Sequence, residues 1–259
     1  MNRYVIQKRK IKYYLLNCFT LFIPRYFYRI RIDYELSRIN HYNLEYLLSR
    51  VDYYNKIEKP FQLEKDALDL NNLFDSQIEK FKSKIFEKKK IKKRTTYFFD
   101  LYNYLSYFPS FFKVKLKFGD ITERFSNPTI VKSRPVNDNK NSVIMNLNKV
   151  RHFYFLKDKK KFIEKKDMAV WRGNSKNSKT RLNFIKNYHD VSIFDVGQHN
   201  PKTKEPWFKG YMPINEQLNY KFIFCIEGAD TATSIKWVMS SNSLCVMPKP
   251  KYESWFMEG

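Results

Sequence analysis

The 259-residue chain carries 49 Lys and Arg against 26 Asp and Glu, a formal charge of +23, with 43% hydrophobic and 18% aromatic residues. That apolar content excludes global disorder and allows a sizeable core, in one large domain or two small ones, while 6 Gly and 10 Pro exclude a glycine-rich fibrous chain. The charge implies an anionic partner: nucleic acid, anionic lipid or a phosphorylated molecule, discounted for the Lys, Asn, Ile, Tyr and Phe usage of AT-rich codons.

Residues 1–95 read as a basic helical N-terminal region. "YYLLNCFTLFIP" (13–24) follows "KRKIK" but is too short to cross a bilayer, and no small-residue cleavage site follows it. Two readings stay open: a helix of the fold, or a basic interfacial helix resting on an anionic membrane. The spacing of "YELSRINHYNLEYLLSRVDYYNKI" predicts one helix over 34–57, ended by Pro60. A second runs over 68–94 and finishes in a basic run suited to a helix C-terminus. Cys18, Cys225 and Cys245 form no CxxC, so neither a disulfide framework nor a zinc site is indicated, and a reducing cytoplasm fits.

The pattern changes at 95, and residues 96–166 read as a first α/β domain. "FFKVKLKFG" (111–119) alternates as a half-exposed strand and ends at Gly119–Asp120. Short strands follow at 128–136, 141–147 and 149–155. The lysine-rich stretch 157–166 reads as a solvated connection and a boundary. Residues 167–259 alternate strand and helix: "MAVWRG", "SKTRLNFIKNYH", "VSIFDVGQ", "INEQLNYK", "FIFCIEG", "TATSIKWVMSS", "SLCVMP". That order predicts parallel βαβ units.

Two corners of this second domain are candidates for chemistry. In a parallel sheet, ligands bind beyond the carboxyl ends of the strands. Arg172 stands at such an end, Gly173 lets backbone approach a ligand, and Ser175, Ser178 and Thr180 can cap the next helix, whose free N–H groups favour phosphate. The second corner is Glu227–Gly228, with Asp230, Thr231 and Thr233 opening a helix that carries Lys236. Two such corners suit a nucleotide sugar; ordinary βα turns with capping residues are the alternative. The pattern is neither a P-loop nor GxGxxG. His152, His189 and His199 show no metal spacing.

"AVWRGNSKNSKTR", "DVGQ" and "EQLNYKFIFCIEGADTATSIKWVMSSNSLCVMPKPKYESWF" resemble the C-terminal half of glycosyltransferase family 90, and the likeness reaches upstream through "FGDITERFSNPTIVKSRPV" to about residue 105. It is closest to the bacterial lipopolysaccharide core-modifying members; the family also includes fungal capsule-associated proteins and animal protein O-glucosyltransferases. The resemblance implies a GT-B-like α/β fold, two Rossmann-like domains facing a cleft. It also implies a UDP-sugar held mainly by the second domain, and inversion without a metal or other cofactor. Arg172 matches the arginine expected at the diphosphate, Ser175 the serine-rich turn after it, Gly228 the nucleotide corner, and Lys236 a basic helix residue. Asp120 falls where the glucosyltransferases carry their proposed general base. Glu227 and Ser234 stand where the animal enzymes have arginines, so Glu227 is expected on sugar or ribose hydroxyls.

The family continues past the "WF" motif, so the C-terminal domain is expected to be incomplete, with Trp255–Phe256 needing a covering layer. These implications add up to a hexosyltransferase using UDP-glucose or UDP-galactose, acting on lipopolysaccharide core, cytoplasmic and peripheral on the inner membrane. Its catalytic residue would be Asp120, with Asp195 more structural, and its donor residues Arg172, Gly173, Ser175, Glu227, Gly228, Thr231, Thr233 and Lys236. Removing Arg172 is expected to abolish donor binding with little loss of fold. Two competing readings are a basic single-stranded nucleic-acid binder and an inactive remnant that only binds UDP-sugar. The first is disfavoured because the aromatics concentrate in apolar runs.

Overall fold

The structure is a computed structural model and describes residues 3–63, 67–86, 95–137, 139–153, 155–176, 178–200 and 205–258. The basic run at 87–94 and Pro201 lie outside the described residues. Helices together with parallel and antiparallel ladders make the fold α/β. The chain gathers into two compact units: Met1–Lys12 with Val150–Lys251, and Tyr13–Lys149 with Tyr252–Gly259. The sequence boundaries after 95 and 166 do not coincide with these divisions.

In the unit containing Tyr13–Lys149, helix α1 (Arg3–Thr20) lays Tyr13, Tyr14 and Cys18 against a core that includes Leu70, Phe74, Phe99 and Tyr102. Its second half is therefore a helix of the fold. Helices α2 (Arg25–Ile30) and α3 (Ile32–Ser37), a 3₁₀ turn, and α4 (Leu44–Tyr54) follow. The single helix expected over 34–57 is broken at Tyr42–Asn43. Tyr42 is extended there, and the Asn43 side chain accepts from the Tyr46 N–H (2.9 Å), capping α4.

Strand β1 (Leu68–Asp69) leads into α5 (Leu70–Phe86), and α6 (Thr95–Leu105) comes next. The expected change of pattern at 95 is thus a further helix. "TTYFFDLYNYL" is rich in aromatic residues, and Thr96 through Tyr102 are all buried. Its carboxylate, Asp100, accepts from the Tyr13 hydroxyl and the Lys149 N–H, both at 2.8 Å. Burial outweighs these bonds and pushes the carboxyl up to about 6.

Strands β2 (Lys113–Val114), β3 (Thr129–Val131), β4 (Ser133–Pro135) and β5 (Ser142–Ile144) are short. β1 pairs antiparallel with β2, and β3 parallel with β5. The strand expected over 111–119 reduces to β2 and one parallel bridge, Leu116 to Ile130. The strand expected over 149–155 is instead the one-turn helix α7 (Lys149–His152). Asn148, at φ 59°, turns the chain there, and Asp100 takes the first N–H of the new turn.

The unit containing Val150–Lys251 holds β6 (Lys166–Gly173), α8 (Lys179–Tyr188), β7 (Phe194–Gln198), α9 (Ile214–Gln217), β8 (Tyr220–Phe224), α10 (Ile235–Met239) and β9 (Leu244–Val246). The sheet runs β7-β6-β8-β9, all parallel, as the alternation of elements predicts. From β6 the chain passes outward to β7, then returns across to β8 on the other side of β6. Strand order therefore reverses between β6 and β8, which is where such sheets open a crevice. Trp171, Ile185, Val196 and Ile226 form the core beside it.

Two expectations are corrected in this unit. The helix expected over 231–241 is only α10, with Ser234 at its N-cap. Thr231 and Thr233 thus lie in the approaching loop, and Lys236 is in the first turn; short polar side chains at 230–234 compete with helical bonding. The stretch 157–166 is not simply solvated. Lys165 is buried, donating to Asp158 Oδ2 (2.6 Å), Leu218 O (2.6 Å) and Ser243 Oγ (2.8 Å).

Strand β10 (Tyr252–Ser254) belongs to the unit of α4 and pairs antiparallel with β4. Trp255, expected to lack cover, stacks on Tyr54 with ring centroids 4.1 Å apart. Arg134 fastens this region. Its side chain is 0% exposed and donates to Glu253 Oε1 (2.6 Å), Tyr54 O (3.1 Å), Ser142 O (2.6 Å) and Tyr53 O.

Candidate functional site

Arg172 is the penultimate residue of β6, opposite Gly197, and Gly173 ends the ladder opposite Gln198 of β7. Its side chain is 6% exposed and paired: Nη2 donates to Asp195 Oδ1 (2.7 Å), and Nη1 to Asp195 O (2.7 Å) and Trp171 O (2.9 Å). Asp195 also accepts from Lys209 Nζ (3.1 Å) and the Tyr220 hydroxyl (2.8 Å). Burial alone would raise the Asp195 carboxyl; the bonds from Arg172, Tyr220 and Lys209 overcome it and hold it below the usual range. Burial and the neighbouring carboxylate push Tyr220 up to about 12. The Arg172 Nε is buried with no partner among the described residues. The expectation that Arg172 could be removed with little loss of fold is thereby corrected, because it sits in a buried ion pair.

The space that Gly173 leaves open is filled from within. A Cβ there would lie 2.3 Å from Trp171 Cζ2, so the glycine accommodates the indole. Gly173→Ala should destabilise the protein by about 1–3 kcal/mol through overpacking, read as a melting point several degrees lower. An unchanged melting point would mean that the indole shifts freely. Ser175 is buried and its hydroxyl donates to Gln198 Oε1, so it braces the loop after β6 against the end of β7.

The second corner is tied to the first by Arg181. From the first turns of α8, where the Ser178 hydroxyl caps its N–H (3.3 Å), Arg181 donates through Nε (3.1 Å) and Nη2 (2.9 Å) to Ile226 O. Its Nη1 donates to Asn174 O (3.2 Å). One guanidinium thus bridges the chain beyond β6 and the chain beyond β8. Gly228 makes this possible: a Cβ there would approach the Arg181 guanidinium to 3.0 Å. Glu227 accepts the Lys251 N–H at Oε1 (3.0 Å), and its carbonyl accepts the Ser178 hydroxyl (3.4 Å). Thr231 is buried, its Oγ1 without a partner among the described residues. Lys236 is buried in α10.

A polar cavity of about 180 Å³ opens at this strand reversal, lined in part by Trp171, Arg172, His199, Tyr211, Thr233 and Trp237. It is smaller than the ~300 Å³ of the smallest usual ligand pockets, so it would take one part of a nucleotide sugar. A larger cavity of about 330 Å³, lined by Phe184, Tyr188, Phe194 and Phe224 among others, is apolar and unsuited to a diphosphate. The structure thus brings Arg172 and Thr233 to one cavity. It places Ser175, Glu227 and Gly228 in the bracing around it. His199 and Tyr211 were missed as lining residues, having no motif to mark them.

Asp120 belongs to the other unit. It follows Gly119, whose φ of 120° makes the turn. The carboxylate is 46% exposed and paired with Lys132 Nζ at 2.8 Å, and that lysine side chain is buried. A buried cation fixing an exposed carboxylate orients it toward solvent. Among the described residues no three His, Cys, Asp or Glu side chains gather as metal ligands.

Residues 145–259 match the family described as glycosyl transferase family 90. Over 169 residues, 64% of this chain and 53% of the relative, the sequence is 41% identical to an O-glucosyltransferase LpsA of Dichelobacter nodosus. The chain therefore spans about half the length of the curated relative it matches. The parallel sheet, its reversal between β6 and β8, and the corners at Arg172 and Gly228 all lie within the matched residues. It is over residues 145–259, the stretch that carries both corners, that this chain is similar to glycosyl transferase family 90.

Proposed function

We propose that the chain is a GT-B-type, inverting, metal-independent glycosyltransferase that moves a hexose from UDP-glucose or UDP-galactose to a lipopolysaccharide core sugar at the cytoplasmic face of the inner membrane. One observation carries the donor half of this reading. A nearly buried arginine at the strand reversal lines a polar cavity, and guanidinium groups suit diphosphate oxygens. The similarity to the family and to an O-glucosyltransferase supports sugar transfer, and glucose among the two donors.

In this reading Arg172 and Lys236 supply positive potential where UDP leaves. Glu227 and the threonines at 231 and 233 contact sugar or ribose hydroxyls. Asp120 takes the proton of the acceptor hydroxyl as that oxygen attacks the anomeric carbon. The C1–O bond to UDP breaks, and UDP leaves with the bonding pair. Calorimetry with UDP, and UDP release from each donor with core oligosaccharide present and EDTA added, test the proposal. No UDP binding by the folded chain would reject it. Asp120→Asn should leave UDP affinity unchanged and lower turnover by about 10²–10⁴-fold; retained turnover would place the base elsewhere.

A further inference from the structure

We propose that the outward side of α1 and α2 docks onto an anionic phospholipid surface. The inner side of α1 is spoken for by Tyr13, Tyr14 and Cys18 against the core. The outer side is also apolar. Leu15, Leu16 and Phe19 are exposed on α1, and Phe22, Phe27 and Ile30 continue the patch along the link and α2. Phe19 is 68% and Phe22 83% exposed, far more than isolated surface hydrophobes require. Among the described residues no helix is long and apolar enough to cross a membrane. Shallow burial at the headgroup boundary is what such a face can achieve.

Charge selects the occupant. The first 32 residues contain eight Lys or Arg and no Asp or Glu. Lys10 and Lys12 are exposed on α1 and Arg29 on α2, while Arg31, also exposed, is paired with Glu35 at 2.9 Å. A second copy of the chain on this face would bring the exposed lysines of two α1 helices together. A phosphate polymer would neutralise it but leave Leu15 and Leu16 in water. An anionic lipid surface satisfies both the charge and the apolar side chains. The inference does not rest on sugar transfer, since vesicle binding reads no turnover.

The test is flotation with vesicles of phosphatidylethanolamine containing phosphatidylglycerol, against phosphatidylcholine alone, with light scattering alongside. The protein should float with the anionic vesicles and lose them at high salt. Phe19→Ser with Phe22→Ser should weaken partition at least roughly tenfold while leaving the melting curve unchanged, since neither ring is buried. Lys10→Glu with Lys12→Glu should remove the preference for phosphatidylglycerol. Equal partition to both vesicles, full binding by the serine variant, or a dimer that the serine variant dissolves would each overturn the proposal.

Discussion

Arg172→Ala is expected to weaken UDP binding by roughly ten- to a hundredfold, the worth of a charge-assisted contact of about 1.5–3 kcal/mol. The same change should lower stability. Asp195 would keep Lys209 and Tyr220 but lose two strong bonds from a nearly buried partner. A fully stranded buried charge costs about 3–5 kcal/mol; with two donors left, the loss should be about 1–3 kcal/mol. The pH dependence separates the two roles. A carboxyl held low in the folded state adds stability that is present above its ordinary range and lost as pH falls through the lowered value. Without Arg172 that contribution shrinks, so the variant's deficit should narrow in acid. Arg172→Lys keeps the charge but not the fork, and should retain more stability than UDP affinity. Thermal melts across acid pH and calorimetry with UDP at neutral pH give both readings. A folded alanine variant with wild-type UDP affinity would remove Arg172 from the donor site.

How much of this was legible depends on where the partner lies in the chain. "MAVWRG" and "FIFCIEG" are unbroken apolar runs closed by a charge and a glycine, and such runs read as buried parallel strands. The end of β6, and hence the corner at Arg172, was visible for that reason, whereas β8 stops at Phe224, four residues before Gly228. Asp195 as the partner of Arg172 was not, because the contact depends on the register of β6 against β7, with Arg172 opposite Gly197. Arg181 was not legible either, because its two acceptors are backbone carbonyls, which no sequence pattern marks. α6 was missed as a helix because Thr, Tyr and Phe, residues that favour strands, fill most of it. The strand expected at 149–155 failed for another reason. Its alternation was real, but Asn148 and the distant Asp100 carboxylate favour a helical turn.

Arg134→Met should be among the most destabilising single changes in the unit containing Tyr13–Lys149. The guanidinium is fully buried and meets four acceptors from three segments: Glu253 of β10, the carbonyls of Tyr53 and Tyr54 in α4, and Ser142 O of β5. Methionine fills similar volume without supplying a donor. Glu253, itself nearly buried, would retain Asn139 Nδ2 (3.0 Å) and the Tyr53 hydroxyl (2.6 Å) but no close cation. Lys56 Nζ stands 3.9 Å away and half in solvent, which is too weak a substitute. Breaking one side of a buried pair costs about 3–5 kcal/mol, and the three orphaned carbonyls add to it. The pairing of β10 with β4 should fail first, because Arg134 and Glu253 face each other in that ladder. Release of β10 would lift Trp255 off Tyr54, so its fluorescence should shift before the far-ultraviolet signal changes. Adding Glu253→Leu should recover part of the loss, since it removes the stranded charge that the first substitution creates. If the single variant melts like the parent and the tryptophan spectrum is unmoved, then the stacking of Trp255 and the apolar contacts around Tyr54, Ile121 and Val131 hold the chain end without Arg134.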